Sequence, residues 1–274
     1  VTFYVGPSTG GPWTQVGAVK ALVAGSATSD SYTPLAAGTY YFKAVYSGDS
    51  NYLTAQSDPA TEVLVVNKAT PTVTTLLSSS SITLGQSITD TATVTGLGGS
   101  FPAPTGTVTF YVGPSTSGPW TQVGAVKPLV SGSATSDSYT PLATGTYYFK
   151  ASYSGDSNYL AAASDPATEV LVVNKATPTV TTLLSETTIT LGQSIIDTAT
   201  VTGLGGSFPI PTGTVTFWVS TSVSGPWTQV GAAKPLVGGV ATSDSHTPLA
   251  AGTYYFKAIY SGDSNYLSAE SDPA

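Results

Sequence analysis

The sequence contains no cysteine, no methionine and no arginine, and its 274 residues include one histidine. Without cysteine there is no disulfide framework, no thiolate nucleophile and no thiolate-ligated zinc site. One histidine and no arginine leave little from which to build a histidine base, a multi-histidine metal centre or a phosphate clamp. Charged residues make up only 8% of the chain, against about a quarter in an average soluble domain, so Ser, Thr and Gly fill the polar positions. The 8 basic residues, all lysine, are outnumbered by 15 acids, for a net charge of -7. With no basic footprint to displace counterions, nucleic acid and anionic membrane are poor partners. No apolar run approaches the roughly 20 residues of a membrane helix, so no membrane insertion is expected in this segment, and no basic-then-apolar leader opens the chain. The strand-like start at Val1 and the lack of methionine read as an internal piece of something longer. A hydrophobic content of 41% nevertheless supports a packed core.

What is present is a repeat. VTFYV begins at Val1 and again at Val108, with VTFWV at Val215, and GPWTQVG begins at Gly11, Gly118 and Gly225. SGDSNYL begins at Ser47, Ser154 and Ser261, so every shift is 107 residues without insertion or deletion. That period is too long for a solenoid or a propeller blade and matches a small domain. The seam is placed at Asn67 to Pro71 and again at Asn174 to Pro178, where Pro interrupts strand pairing and polar residues can turn the chain. Residues 1–68 are then a partial repeat with C-terminal strands only (unit I), 69–175 a complete repeat (unit II), and 176–274 a repeat lacking its last strand (unit III).

Within unit II, runs of Thr, Val, Ile and Tyr alternate with polar residues between Gly and Pro clusters, which is a strand signature throughout. Strands are expected near residues 72–77, 87–95, 106–112, 120–123, 130–140, 146–153 and 168–173. This count fits an all-β fold of tandem immunoglobulin-like Greek-key sandwiches. Alternation places Val108, Phe110 and Val112 on one face, and Tyr147, Phe149, Ala151 and Tyr153 on another. Because Lys150 cannot be buried unpaired, the Phe149 set is assigned inward, together with Val172. Leu142 to Tyr147 leads into its strand as a tyrosine corner, with Phe149 where an antibody domain has its cysteine.

Pro104 to Phe110, Leu129 to Thr135, Leu142 to Tyr148 and Tyr153 to Tyr159 resemble, in order and spacing, the Ig-like repeats of large bacterial and archaeal cell-surface proteins, of the group 3 type. The resemblance covers the whole chain. It implies a scaffold whose function sits in whatever it carries.

Candidate sites are few. The Ser154 to Asn158 loop, with Asp165 after it, has oxygens of the kind calcium accepts, but Gly-Asp-Ser-Asn is also ordinary turn chemistry, and the turn is the preferred reading. No metal or cofactor is expected. His246 replaces Tyr32 and Tyr139 of the other units and reads as a surface or rim substitution. Asp90, Asp137, Asp156 and Glu169 lie on different strands and loops without local pairing, so no catalytic carboxylate pair, and no enzyme, is expected. A Lys-Asn crosslink would need a buried lysine, whereas Lys150 faces outward and Lys175 lies in the linker. The outward column of Tyr111 and Tyr148 in unit II, and of Trp218, Tyr255 and Ile259 in unit III, is the candidate contact surface.

The leading expectation is a structural and adhesive spacer of an exported cell-surface protein or extracellular filament. Sandwiches in tandem would form a semi-rigid rod, each adding on the order of 40 Å from strands rising roughly 3.3 Å per residue plus end loops. Its partners would be copies of itself or other surface components. The alternative is that the repeat itself binds, as a self-assembling subunit or through its aromatic face to glycans.

Overall fold

The computed structural model of the chain describes residues 1–273. In unit II the alternating pattern builds two sheets. One has the order Ser133–Thr135, Asp90–Thr95, Thr72–Leu77; the other has Thr121–Gln122, Thr107–Gly113, Gly145–Tyr153, Val170–Asn174, Ser81–Thr83. Short strands Lys127–Pro128 and Ala162–Ala163 extend the second sheet. Among the strands of these two sheets all pairings are antiparallel except that of Val172–Asn174 with Ser81–Thr83, which is parallel. The facing side chains are Val73, Leu77, Ala92, Val94 and Ala134 from one sheet and Val108, Phe110, Phe149, Ala151, Tyr153, Leu171 and Val173 from the other, all buried. This is an all-β immunoglobulin-like sandwich, repeated in tandem.

Sequence and structure differ at informative places. The run at 130–140 keeps only Ser133–Thr135 as a strand, because Ser131 (φ 51°) and Gly132 (φ 79°) make a tight turn that pairs Val130 with Ser133. The strand expected from residue 87 begins at Asp90. Three two- or three-residue strands carry too little alternation to be seen. Val172 is 44% exposed, and Leu171 and Val173 are buried instead. Antiparallel partners share a face, and Tyr147 opposes Leu171 while Gly145 opposes Val173, so the inward parity of the Phe149 strand dictates Leu171. Tyr147 itself is half-buried at the rim and donates its hydroxyl to Ala143 O at 2.9 Å, closing the tyrosine corner.

Units I and III show what each part contributes. Unit I is a single sheet in which Phe3 and Phe42 are half-buried, whereas their counterparts Phe110 and Phe149 are fully covered. In unit III the strand equivalent to Gly145–Tyr153 shortens to Tyr255–Tyr260, and residues 188–190 are not a strand. Among the described residues no strand pairs them as Val170–Asn174 pairs Ser81–Thr83, and a ladder cannot form without the second row of N–H and C=O groups. Leu191 is correspondingly 61% exposed, where Leu84 in unit II is 2% exposed.

Candidate functional site at the joint between repeats

The repeated Ser-Gly-Asp-Ser-Asn-Tyr loop sits at the contact between consecutive units. Its turn needs Gly155, at φ 75°, because a Cβ there would lie 2.8 Å from Ala161 N. Asp156 is the centre of the loop. Its Oδ1 accepts the Asn158 and Tyr159 N–H groups, both at 2.8 Å, and its Oδ2 accepts Thr105 N–H at 2.7 Å and Thr105 Oγ1 at 3.0 Å. Burial works against ionisation, but the Thr105, Asn158 and Tyr159 donors outweigh it and hold the carboxyl down to about 2. These donors occupy both carboxylate oxygens, and Asp165 caps a short 3-10 turn by accepting Ala167 N–H at 2.9 Å. The loop is built as a turn. Among the described residues no group of three or more metal-ligating side chains converges.

Tyr159 follows the loop and is fully buried. Its hydroxyl donates to Pro102 O at 2.7 Å and accepts Leu97 N–H at 3.2 Å, tying the Gly96–Pro102 connection to the loop. Gly96 permits this approach, since a Cβ there would fall 2.4 Å from the Tyr159 hydroxyl.

The loop so held reaches the preceding unit. Asn158 Oδ1 accepts Ala37 N–H at 2.9 Å, beside the tyrosine corner of unit I, and Asn158 O accepts Ala69 N–H at 2.9 Å from the linker. Leu160 N–H donates back to Ala69 O at 2.9 Å, and Lys68 Nζ donates to Asp156 O. The second joint repeats the first: Asn265 Oδ1 accepts Thr144 N–H at 3.1 Å, Asn265 O accepts Ala176 N–H at 3.0 Å, and Leu267 N–H donates to Ala176 O at 2.9 Å. Thr144 Oγ1 adds a bond to Ser264 O at 2.7 Å. Sequence reasoning identified the loop as a turn but missed its role across the joint. The available signal was the identity of the loop and of the seam in successive copies.

The acids do not all remain apart. Asp137 is ion-paired with Lys127 at 2.5 Å, and that hydrogen bond, helped by Ala125 N–H, lowers its carboxyl. Asp90 and Glu169, far apart in sequence and expected to be unpaired, meet in the core of unit II, 1% and 4% exposed. Folding brings them together because one opens the strand Asp90–Thr95 and the other immediately precedes Val170–Asn174, in the facing sheet. Burial pushes Asp90 up to about 8, with the Glu169 charge adding to it.

The proposed contact residues Tyr111, Tyr148, Trp218, Tyr255 and Ile259 are all half-buried at alternate positions facing away from the core. Between them stands a lysine. Lys150 Nζ lies 5.4 Å from the Tyr111 ring centre and 4.4 Å from that of Trp120, a cation–π arrangement. Lys43 lies over Tyr4 and Trp13 in the same way, and Lys257 over Trp227. Trp120 was not expected on this face. It folds across Gly113, where a Cβ would lie 3.1 Å from its ring. Lys150 thus points outward, as expected. His246 stacks edge-on against Tyr254 and Phe256 at 6.2 and 5.8 Å, and Tyr139 does the same against Tyr147 and Phe149 at 6.3 and 5.8 Å. Burial lowers its imidazole. It is a rim aromatic.

No curated protein matches the chain in sequence. Among solved structures, it is similar to the Escherichia coli adhesin FdeC (15% identity, 86% of this chain, 74% of that one, TM-score 0.31). It is also similar to the Yersinia pseudotuberculosis adhesin InvE (17% identity, 72% of this chain, 57% of that one, TM-score 0.34). The FN1–FN3 domains of chicken CNTN1 align at 10% identity over 100% of this chain and 85% of that one, TM-score 0.26. At such identities nothing about binding passes to this chain. The profile of the bacterial Ig-like domain (group 3) matches residues 74–173 and 181–274, and the chain belongs to that family.

Proposed function

We propose that the chain is a structural spacer segment of an exported, cell-surface protein, in which tandem sandwiches are held end to end and carry other modules away from the surface. Membership of the bacterial Ig-like family supports a surface-exposed, non-enzymatic role. No helix among the described residues is long and apolar enough to cross a membrane. The observation that carries the reading is the joint: the same asparagine bridges to the previous unit and to the linker at both seams. A seam of Asn67 to Pro71 with its backbone bonded on both sides is too short and too constrained to behave as a flexible coil.

Small-angle scattering tests this. The chain should give the profile of one elongated particle, and Asn158→Ala with Asn265→Ala should broaden its distance distribution without loss of strand content. A wild-type profile already fitting freely jointed domains would overturn the spacer reading.

A second reading rests on the aromatic face, where Tyr111 and Tyr148 flank Lys150 in unit II and Trp218, Tyr255 and Ile259 flank Lys257 in unit III, each lysine stacked on a tryptophan. Large rigid rings dominate interface energetics, and a surface with few charges offers little repulsion. On this reading the face associates laterally with another copy. Trp218→Ser combined with Tyr255→Ser should then weaken association without unfolding unit III, and normal association by that double variant would remove the reading. Retention of a single repeat on a polysaccharide panel would redirect it to glycans.

A further inference from the structure

The core of unit II holds two carboxyl groups and no cation to match them. Asp90 and Glu169 are both almost fully buried and lie within reach of each other, and none of their four side-chain oxygens has a hydrogen-bond partner. We propose that Asp90 and Glu169 form a one-proton latch, a pH-sensitive device that fastens the strand Val170–Asn174, and through it the exit to the next joint, to the opposite sheet.

The surroundings offer the pair few donors and, among the described residues, no cation. The strand Thr72–Leu77 presents the Thr75 hydroxyl, itself buried without another partner and close to Glu169, with the Leu76 and Leu77 backbone N–H groups close to Asp90 and Glu169 respectively. Ser136 Oγ is taken by Asp90 N–H at 2.9 Å, so it serves the main chain. On the strand Gly145–Tyr153, Phe149 N–H donates to the Glu169 main-chain oxygen at 3.1 Å, and Lys150 is turned outward over Trp120. The other ionisable groups nearby are engaged elsewhere: Tyr147 with Ala143 O, Tyr139 against Phe149, and Asp137 with Lys127. The remaining tyrosines of that strand lie away from the pair: Tyr148 faces outward, and the hydroxyl of Tyr153 lies near Asp156 at the far end.

Two carboxyl groups in such a place have three states. With both protonated, or with one proton shared, a neutral acid donates to its partner and no uncompensated charge pair is buried. With none, two like charges sit in the interior without a counterion, which is the costly arrangement. Unit III supplies the comparison. Asp197 occupies the same position, 2% exposed, with no glutamate beside it among the described residues. Burial raises it to about 6, against about 8 for Asp90, where the Glu169 carboxyl adds to a larger effect of burial.

The sign follows from linkage. A carboxyl raised above its unfolded value near 4 contributes stability that is complete below about pH 4 and is lost as pH rises through its folded value. The latch therefore closes in mild acid and opens above about pH 8, where Asp90 gives up the shared proton. An acidic chain would thus hold the last strand of unit II more tightly as its net charge falls in magnitude.

The test is amide hydrogen exchange of Leu171 and Val173 by NMR between pH 5 and 9, after correction for the intrinsic pH dependence. Protection should fall by up to about tenfold per pH unit while one proton is being lost on opening. The equivalent fall should shrink in Glu169→Gln and vanish in Asp90→Asn/Glu169→Gln. Should either variant fail to fold, 13C titration of the two wild-type carboxyl groups decides by itself. One proton shared by the pair at pH 6 supports the latch. Both groups ionised at pH 6, or protection flat across the range, overturns it.

Discussion

Replacing Tyr159 by Phe isolates the group that ties the joint to the body of unit II. The ring stays in a fully buried position, and only the hydroxyl, which donates to Pro102 O and accepts Leu97 N–H, is removed. Each such bond contributes about 1 kcal/mol net, and a partner left unpaired in the interior costs about 1–3 kcal/mol more. Leu97 and Pro102 are themselves exposed, so water can reach the freed groups and the lower end applies. The expected loss is about 1–2 kcal/mol for unit II. Because Ala69 N–H is bonded to the neighbouring Asn158 O, its amide should exchange faster in the variant. Urea unfolding followed by exchange mass spectrometry, with peptides resolved by unit, measures both. Tyr266→Phe is the matched control, since its hydroxyl donates to Pro209 O and accepts Leu204 N–H in unit III. A Tyr159→Phe chain with unit II stability unchanged, or with the loss appearing in unit III, would refute the coupling of loop, Gly96–Pro102 connection and joint.

Other outcomes follow from single features. Phe149→Ala should cost unit II about 3–5 kcal/mol in chemical denaturation, because the ring is 1% exposed and its removal leaves a cavity among large neighbours; a cost below about 1 kcal/mol would mean that the core repacks around the gap. Gly96→Ala should destabilise unit II and release the Tyr159 hydroxyl, visible as loss of Leu97 amide protection, since the new Cβ has no room. Asp156, held down to about 2, contributes stability that is present above about pH 4 and lost as pH falls toward 2; Asp156→Asn should remove that acid limb from the melting curve. The wild-type melting temperature should be unmoved by EDTA, because Asp156 already has its donors, and a large fall would restore the calcium reading of the loop.

Much of the fold was legible from alternation. Val108, Phe110 and Val112, and Phe149 with Ala151 and Tyr153, face inward as the period of two requires, because strand geometry sends successive side chains to opposite faces. Val172 failed because its run, Val170 to Val173, is apolar without interruption and contains no polar residue to set the parity. Register against Gly145–Tyr153 set it instead. The short strands Ser81–Thr83 and Ala162–Ala163 were invisible for a related reason: two or three residues do not make a pattern, and pairing alone defines them. Tyr111 and Trp218 face away from the core by the same alternation, while Trp120 comes beside Lys150 through a hairpin whose direction no period reports.

Composition, the 107-residue repeat and the alternation of side chains were sufficient for the class of fold, the tandem arrangement and most of the core, since these depend on local backbone geometry and on copies of one solution. Tertiary structure alone decided two things. It set the Asn158 and Asn265 loops against the preceding units, which depends on where the end of one sandwich lies relative to the next. It also brought Asp90 to Glu169, 79 residues further along the chain, because facing sheets unite positions that share no local pattern and solvent exclusion then changes what two carboxyl groups do.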